Sequence, residues 1–242
     1  MTKRSLLGIL TPSSNTALEP ITSAMVAGLP NVSAHFSRFK VTEIALSSDA
    51  LAQFDTSNIL RAAELLAHAK VDVIGWNGTS SGWLGFETDV KLCEQITAAT
   101  GIPATTSMLA LNEILAASKA TTLGLVTPYR DDVQARIIAN YAKLGIACRG
   151  DRHLNLQDNF SFAEVTPAEI ETMIREVARE TPDAIAVVCT NMRAAPLVAR
   201  LELETGIPIL DTIATVVWKS LKLAGVDTRG ASEWGSLFQK FA

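Results

Sequence analysis

A single thiol at the end of a repeated strand-and-loop unit is the feature of this sequence best suited to chemistry. Residues 71–80 read VDVIGWNGTS, residues 182–191 read PDAIAVVCTN, and the two stretches align without a gap. Cys189 of the second stretch stands where the first has Gly78. A cysteine between a buried strand and a loop can act as a nucleophile or as an acid. We expect backbone N–H groups and the start of a following helix to lower the pKa of Cys189.

The loops aligned with this thiol are rich in hydroxyl and amide side chains, which are typical of anion sites. Thr79 and its serine neighbours follow Gly78, and with backbone N–H groups they could hold a carboxylate or an enolate. Serine and threonine also favour helix N-caps, so a purely structural role stays open. Tyr129 follows an apolar run, and its phenol either donates to an oxyanion or packs as an ordinary interface tyrosine. Arg193 either pairs with a substrate carboxylate or with a surface acid.

The predicted site therefore has two groups of residues. The catalytic group is Cys189, Tyr129 and Thr79. The substrate-binding group is Pro12, Ser13, Ser14, Asn15, Gly78, Ser80, Ser81, Thr190 and Asn191. Asn15 is both a plausible helix cap and a plausible carboxylate donor.

Apolar runs that alternate with amphipathic stretches must position these residues. The sequence predicts strands over 5–12, 32–41, 71–77 and 102–107, and helices that begin near Asn15 and cover 56–70 and 85–101. In the second of these helices the apolar face is Ile59, Ala62, Ala63 and Leu66. This alternation predicts an α/β protein with mainly parallel sheets flanked by helices.

The second half of the chain repeats the first. LGILTPSSN at 7–15 matches LGLVTPYRD at 123–131, and TGIP occurs at 100–103 and again at 205–208. Three matched segments in one order indicate an internal duplication into two α/β lobes related by a pseudo-two-fold axis. We predict a first lobe over 1–116, a second over 117–220 and a C-terminal segment over 221–242 that packs back on the body. Ligands of parallel sheets bind at the carboxyl ends of the strands, so the paired loops should line a cleft between the lobes.

Composition and charge exclude several classes of function. Hydrophobic residues make up 48% of the chain and charged residues 19%, which suits a large buried core. The net charge is −4 and basic residues are scattered, so we expect no nucleic-acid partner. No apolar run approaches the roughly 20 residues that cross a bilayer, and the N-terminus makes a poor secretory signal. These features predict a cytoplasmic protein with no membrane partner.

Metal, nucleotide and serine-hydrolase chemistry are also not expected. The three cysteines share no CxxC spacing and the three histidines lie far apart, so neither a metal site nor a disulfide framework is predicted. The chain has no GxGxxG motif and no P-loop, and no histidine falls in the repeated loops. We expect no cofactor.

Four loops together resemble a known group of enzymes. TPSSNT at 11–16, NGTSSG at 77–82, TPYRDDV at 127–133 and CTNMRA at 189–194 resemble the aspartate/glutamate racemase superfamily, in its branch of maleate cis–trans isomerases and arylmalonate decarboxylases. The resemblance implies two Rossmann-like lobes, no cofactor, and a small dicarboxylate or malonate-like substrate between the lobes. It places the two cysteines of the racemases and isomerases at Gly78 and Cys189. Arylmalonate decarboxylases lack the first cysteine, as this chain does, and keep the second as proton donor.

The resulting hypothesis is a cofactor-free decarboxylase whose enediolate intermediate is protonated by Cys189. A maleate isomerase-like or racemase-type enzyme that lacks the first-lobe cysteine is the alternative, with Ser80 as a weak substitute nucleophile. A non-catalytic dicarboxylate-binding protein is a further alternative. Assembly into a homo-oligomer stays open, since the C-terminal stretch EWGSLFQKFA could pack on the body or on a second copy.

Overall fold

The two predicted lobes are present as two four-stranded parallel sheets. The computed structural model describes residues 4–47, 53 and 56–242. The first sheet has the order β2-β1-β3-β4, and its strands are β1 (Ser5–Pro12), β2 (Val32–Phe39), β3 (Val73–Trp76) and β4 (Ala104–Thr106). The second has the order β6-β5-β7-β8, and its strands are β5 (Thr122–Thr127), β6 (Ala147–His153), β7 (Ala184–Val187) and β8 (Ile209–Asp211). The α/β class and the duplication are thereby confirmed.

Helices cover both sheets. They are α1 (Leu18–Ala27), α2 (Thr56–His68), α3 (Ser81–Leu84), α4 (Glu87–Thr100), α5 (Ser107–Ser118), α6 (Asp131–Lys143), α7 (Pro167–Ala178), α8 (Val198–Thr205), α9 (Thr212–Leu223) and α10 (Leu237–Lys240). Short 3₁₀ segments lie at Phe160–Glu164, Ala195–Leu197 and Thr228–Trp234. The apolar face predicted for α2 is the face that the structure buries. The first helix begins at Leu18 rather than near Asn15, because the Asn15 side chain accepts the N–H groups of Ala17 and Leu18 just before the first turn.

The repeated TGIP motif ends one helix and starts one strand in each lobe. Gly101 closes α4 and Gly206 closes α8, each with φ of 71°. This left-handed conformation favours glycine, which explains the motif's second position. The preceding Thr100 and Thr205 each donate to a carbonyl one turn back, with oxygen–oxygen distances of 2.7 Å. The duplication is therefore visible in hydrogen bonds as well as in topology.

The repeated aspartate ties the start of one strand to the start of its neighbour. Asp72 Oδ2 accepts the N–H of Leu6 at 2.8 Å, at the start of β1. Asp183 Oδ2 accepts the N–H groups of Thr121 and Thr122 at 2.8 and 2.9 Å, at the start of β5. These carboxylates satisfy backbone donors that have no ladder partner.

The lobes interlock through α5 and α9. The Thr215 hydroxyl donates to the carbonyl of Ser107 at 2.9 Å, and Lys219 forms an ion pair with Glu113 at 2.6 Å. Helix α9 also reaches across to the first sheet, because a Cβ atom on Gly75 of β3 would lie 2.9 Å from Val216. A helix that follows the last strand of the second lobe thus covers the first. The residue boundaries at 116 and 220 remain a proposal.

The C-terminal segment contacts the same helix. The Trp218 indole N–H and the Lys222 ammonium group both donate to the carbonyl of Phe241, each at 3.0 Å. Phe238 is fully buried. No helix in the part of the chain that the structure describes has the length and apolar character needed to span a membrane.

We predict that Asp183→Ala lowers stability at neutral pH by about 0.5–1 kcal/mol, a modest loss because the carboxylate is exposed and water screens it. Hydrogen bonds, first from the N–H of Thr121 and then from Thr122, lower the Asp183 pKa from 3.8 to about 2. A lowered folded pKa gives a contribution that is complete above pH 4 and disappears as the pH falls toward 2. Urea unfolding at pH 7 and pH 3 should show the two proteins converging at the lower pH.

The exposed Glu180→Ala is a matched control in the same lobe and should leave stability nearly unchanged at both pH values. An Asp183→Ala protein as stable as the parent at pH 7 would refute the role of this carboxylate at the start of β5.

Candidate active site

A small cavity lies where the carboxyl ends of the two sheets meet. Its volume is about 20 Å³, which holds about one water molecule. Residues from both lobes line it, namely Pro12, Val41, Ile44, Trp76, Gly78, Thr79, Ser80, Trp83, Tyr129, Asn159, Cys189 and Thr190. A larger depression of about 410 Å³ between α8 and α10 contains none of the predicted site residues. The small cavity is therefore the candidate site, and its lining must move outward to admit even a small acid.

Two hydroxyl groups from different lobes meet in this cavity. The Thr79 hydroxyl and the Tyr129 phenol lie 2.7 Å apart. The Tyr129 ring is 2% exposed and packs edge-on against Trp83 and Phe162, with centroids 5.3 and 5.5 Å away. Burial, and next the nearby Cys189, raise the phenol pKa well above its usual value of 10.0. Tyr129 is thus a neutral hydrogen-bond donor held in one orientation.

Cys189 lies in the same cavity as a protonated thiol. It is 2% exposed, and the N–H of Asn191 approaches its Sγ at 3.4 Å. Burial raises its pKa from 9.0 to about 12 and outweighs the lowering by the Asn191 N–H and the Tyr129 hydroxyl. The expectation of a lowered pKa was wrong for two reasons. Desolvation dominates, and residues 190–194 form a turn with only a short 3₁₀ segment from Ala195 after it.

Residues with free backbone donors line the cavity from both lobes. Within the described residues, the N–H groups of Thr79, Ser80 and Thr190 have no protein acceptor. Buried N–H groups normally have partners, so three unmatched donors around one cavity are suited to an anionic ligand. No Lys, Arg or His side chain is among the lining residues, and the exposed Arg193 donates to the carbonyl of Val165 at 3.4 Å. Neutral donors alone would therefore recognise a bound acid.

The asparagine side chains join the lobes beside the cavity. Asn15 Nδ2 donates to the carbonyl of Thr190 at 2.9 Å, and Asn191 Oδ1 accepts the N–H of Thr16 at 3.0 Å. The Thr190 hydroxyl donates to the carbonyl of Asn77 at 3.1 Å. Asn15 and Asn191 do not line the cavity, so in this structure their amides connect the lobes instead of facing a ligand.

The remaining predicted serines also lie outside the cavity lining. The hydroxyls of Ser13 and Ser14 both donate to the carbonyl of Val41, at 3.3 and 2.6 Å. Ser81 is buried at the start of α3, and its hydroxyl has no hydrogen-bond partner among the described residues. The structure thus brings seven of the predicted residues to the cavity, namely Pro12, Gly78, Thr79, Ser80, Tyr129, Cys189 and Thr190.

Sequence reasoning missed a group of lining residues, namely Val41, Ile44, Trp76, Trp83 and Asn159. Two of their segments meet only in the folded chain. The N–H of Ile44 donates to the carbonyl of Gln157, and the N–H of Asn159 donates to the carbonyl of Thr42, both at 3.0 Å. This contact between lobes has no signature in the sequence. The two tryptophans could have been predicted from the sequence, because Trp76 and Trp83 lie directly before and after the loop that contains Gly78.

Gly78 stands beside an indole ring. A Cβ atom on Gly78 would lie 2.0 Å from Cζ2 of Trp76, far inside any real contact. The first-lobe position opposite the thiol therefore has neither a side chain nor room for one. No three His, Cys, Asp or Glu side chains among residues 4–47, 53 and 56–242 come together to hold a metal ion.

Comparisons with known proteins agree with this geometry. The sequence profile of the arylmalonate decarboxylase family matches residues 8–238. The chain belongs to this family. It is 28% identical to a maleate isomerase of Pseudomonas putida over 92% of each chain, and 26% identical to the arylmalonate decarboxylase of Bordetella bronchiseptica over 69% of this chain and 71% of that one.

Solved structures of maleate isomerase and arylmalonate decarboxylase share the fold. A maleate isomerase from Pseudomonas putida S16, solved with maleate, superposes with a TM-score of 0.88 at 24% identity over 98% of each chain. An arylmalonate decarboxylase superposes with a TM-score of 0.79 at 23% identity over 97% of this chain and 99% of that one. Proteins similar to this chain therefore carry the names of both activities, and this chain is an enzyme of the arylmalonate decarboxylase family.

We predict that Cys189 reacts slowly with iodoacetamide at pH 7 and about tenfold faster for each pH unit up to pH 10. A thiol with a pKa near 12 is almost wholly protonated in this range, and the thiolate is the nucleophile. Mass spectrometry of peptides would measure the rate at each cysteine. Half-buried Cys148, whose pKa burial raises to about 11, serves as the internal reference and should react first. Preferential labelling of Cys189 at pH 7 would mean that its pKa is low.

Proposed function

We propose that this protein is a cofactor-free decarboxylase of a malonate-like acid, in which Cys189 protonates an enediolate intermediate. The observation that carries the proposal is the asymmetry of the cavity. One wall has a protonated thiol, whereas the position opposite it, Gly78, has no side chain. Such a site can deliver one proton to one face of a carbanion and cannot exchange protons on both faces.

The retained carboxylate has a set of donors. The free N–H groups of Thr79, Ser80 and Thr190 belong to residues that line the cavity, and the paired hydroxyls of Thr79 and Tyr129 add an O–H donor. Charge increases on this carboxylate as it becomes an enediolate, so these preorganised donors bind the transition state more tightly than the ground state. Because Tyr129 packs between two aromatic rings, its phenol is already oriented, and little energy is spent in turning it toward the developing charge.

The departing carboxylate fits the apolar part of the lining. The side chains of Val41 and Ile44 offer it no hydrogen bond, and no cation is present among the lining residues to hold its charge. The C–C bond breaks, CO2 leaves, and the electron pair of that bond becomes the enediolate. The Cys189 S–H then transfers its proton to the carbon. The thiolate left behind has a high proton affinity and regains a proton from water.

An isomerase-like activity is the second candidate, favoured by the 28% identity to a maleate isomerase. A maleate isomerase of Nocardia farcinica has been solved with a covalently bound succinylcysteine intermediate. A comparable adduct on this chain needs a nucleophile on the first lobe. Gly78 provides none, and the hydroxyl of Ser80 has no histidine among the lining residues to activate it. A racemase-type reaction meets the same obstacle, since it requires a second acid or base.

A substrate screen in deuterated water distinguishes these candidates. Malonate, methylmalonate, phenylmalonate and maleate would each be incubated with the protein, with CO2, fumarate and solvent deuterium as readouts. We expect CO2 release from a malonate, with one deuterium in the product. Fumarate without CO2 would establish the isomerase instead. A thermal shift with every acid and product from none would mean a binding protein. Cytoplasmic location and self-association stay predictions.

Replacing the thiol should remove most of the turnover. We predict that Cys189→Ser lowers kcat by at least about 10²-fold, because a serine hydroxyl is a far weaker acid than a thiol at the same position. Cys93→Ser is the matched control, since Cys93 lies on α4 away from the cavity and should keep the parental rate. Near-parental activity of Cys189→Ser would remove this residue from the mechanism.

Removing the hydroxyl pair should act on the chemical step more than on binding. Tyr129→Phe and Thr79→Val each delete one donor, and we expect kcat to fall by about 10²-fold with KM changed only a few-fold. Since the two hydroxyls share one hydrogen bond, the double variant should lose much less than the product of the two effects. Multiplicative losses, or a change in KM alone, would contradict their joint action.

A further inference from the structure

The indole ring of Trp76 occupies the volume into which any side chain at residue 78 would project. A Cβ atom on Gly78 would lie 2.0, 2.3 and 2.5 Å from Cζ2, Cε2 and Cη2 of that ring. Real Cβ atoms essentially never approach other atoms this closely, and a ring cannot yield by a small torsion as the end of a flexible side chain does. Trp76 and Gly78 therefore form one continuous wall of the cavity.

The strand and its neighbours hold the ring in place. Trp76 is the last residue of β3, with Leu10 and Thr106 as its Cα partners on either side. Its ring is 1% exposed and packs on Phe39 with a centroid distance of 5.0 Å and an interplanar angle of 48°. A wall fixed by a sheet and by a second aromatic ring resists displacement, so it limits what the cavity can hold.

The indole also has an unmet hydrogen-bond donor. Trp76 Nε1 is buried and has no acceptor among the described residues. It is bonded to Cε2, one of the ring atoms nearest to the Gly78 position, and Trp76 is one of the residues that line the cavity. A buried donor without an acceptor is unfavourable in a native fold. A carboxylate in the cavity would supply the missing acceptor.

The second lobe shows the opposite distribution of volume at the same two positions. In the aligned repeats, Val187 corresponds to Trp76, and Cys189 corresponds to Gly78. Residues two apart at the end of a strand face the same side of the sheet. The second lobe therefore has the smaller Val187 followed two residues later by the Cys189 side chain. The first lobe has the bulky Trp76 followed by Gly78, which has no side chain.

We propose that Trp76 is a specificity-determining residue, whose ring sets the upper size limit of the acid and whose indole N–H contacts the acid's carboxylate. The inference rests on the proposed function for its substrate class, since the acid is taken to be malonate-like. The substituent on the malonate carbon must fit beside the ring, so hydrogen or methyl is accepted and a phenyl group is disfavoured.

Trp76→Leu tests the size limit directly. The readout is the ratio of kcat/KM for phenylmalonate to that for methylmalonate, measured as CO2 release. We expect the ratio to rise by at least about tenfold in the variant, because pocket volume is the determinant. Malonate itself should bind about threefold to tenfold more weakly through loss of the indole N–H.

Phe39→Leu is the matched control, because it removes ring volume from the same aromatic pair at a residue that does not line the cavity. Its substrate ratio should stay within twofold of the parent. An unchanged ratio in Trp76→Leu, or an equal rise in both variants, would overturn the proposal. Binding of succinate and phenylsuccinate, followed by thermal shift, reports the size limit even if no malonate is decarboxylated. Absence of CO2 release from every malonate would thus reject the decarboxylase function, whereas equal effects of Trp76→Leu on succinate and phenylsuccinate binding would reject the size limit.

A stability measurement tests the contact without any substrate. Gly78→Ala should lower the melting temperature clearly, because its Cβ meets the ring, and Trp76→Leu in the same chain should restore much of the loss. Gly82→Ala, where the nearest side-chain atom to a new Cβ is 3.3 Å away, is the milder control. Additive effects of the Gly78 and Trp76 substitutions would show that the ring does not occupy this volume.

Discussion

The hydrogen bonds that join the two lobes beside Cys189 are the constraint on which the site depends. Asn15 and Asn191 each reach from one lobe to the backbone of the other, and the Thr190 hydroxyl bonds to the carbonyl of Asn77. The two asparagine contacts join the loop after β1 to the loop after β7, and the threonine contact joins the loop after β7 to the loop after β3. The distance between the thiol and the Thr79 loop is therefore set by buried hydrogen bonds, which position far better than a flexible linker between domains.

Burial at this junction has two consequences with one cause. It removes water from around Cys189 and Tyr129, which raises both pKa values and keeps both groups protonated. The same low dielectric strengthens the interaction of any bound anion with the free N–H groups of Thr79, Ser80 and Thr190. A thiol intended as a nucleophile would be poorly served by such surroundings, whereas a thiol that donates a proton and then regains it is well served.

Much of the fold could be predicted because its signals are local. The buried face of α2 follows from helical spacing, and the ends of α4 and α8 follow from Gly101 and Gly206. The loops that carry Thr79, Tyr129 and Cys189 could be predicted from the repeats. The pKa of Cys189 could not, because it depends on desolvation by distant segments. Val41, Ile44 and Asn159 were missed for the same reason, since only the folded chain brings residues 41–44 beside 157–159.

The two copies of the duplicated unit show how one backbone can supply different chemistry. Both copies keep the aspartate at the start of the strand, which satisfies backbone donors of the neighbouring strand. Both also keep the threonine after the variable position, whose hydroxyl contacts the other lobe in each copy. At residues 76 and 78, and at their counterparts 187 and 189, the larger side chain can stand at either the first or the second position. In the second lobe, Val187 leaves room for the reactive thiol of Cys189. In the first lobe, the Trp76 ring fills the space beside Gly78 and forms an unreactive wall. A first-lobe thiol therefore requires two substitutions together, since a cysteine at residue 78 cannot be accommodated until the indole is replaced. Such coupling keeps the site of this chain one-sided.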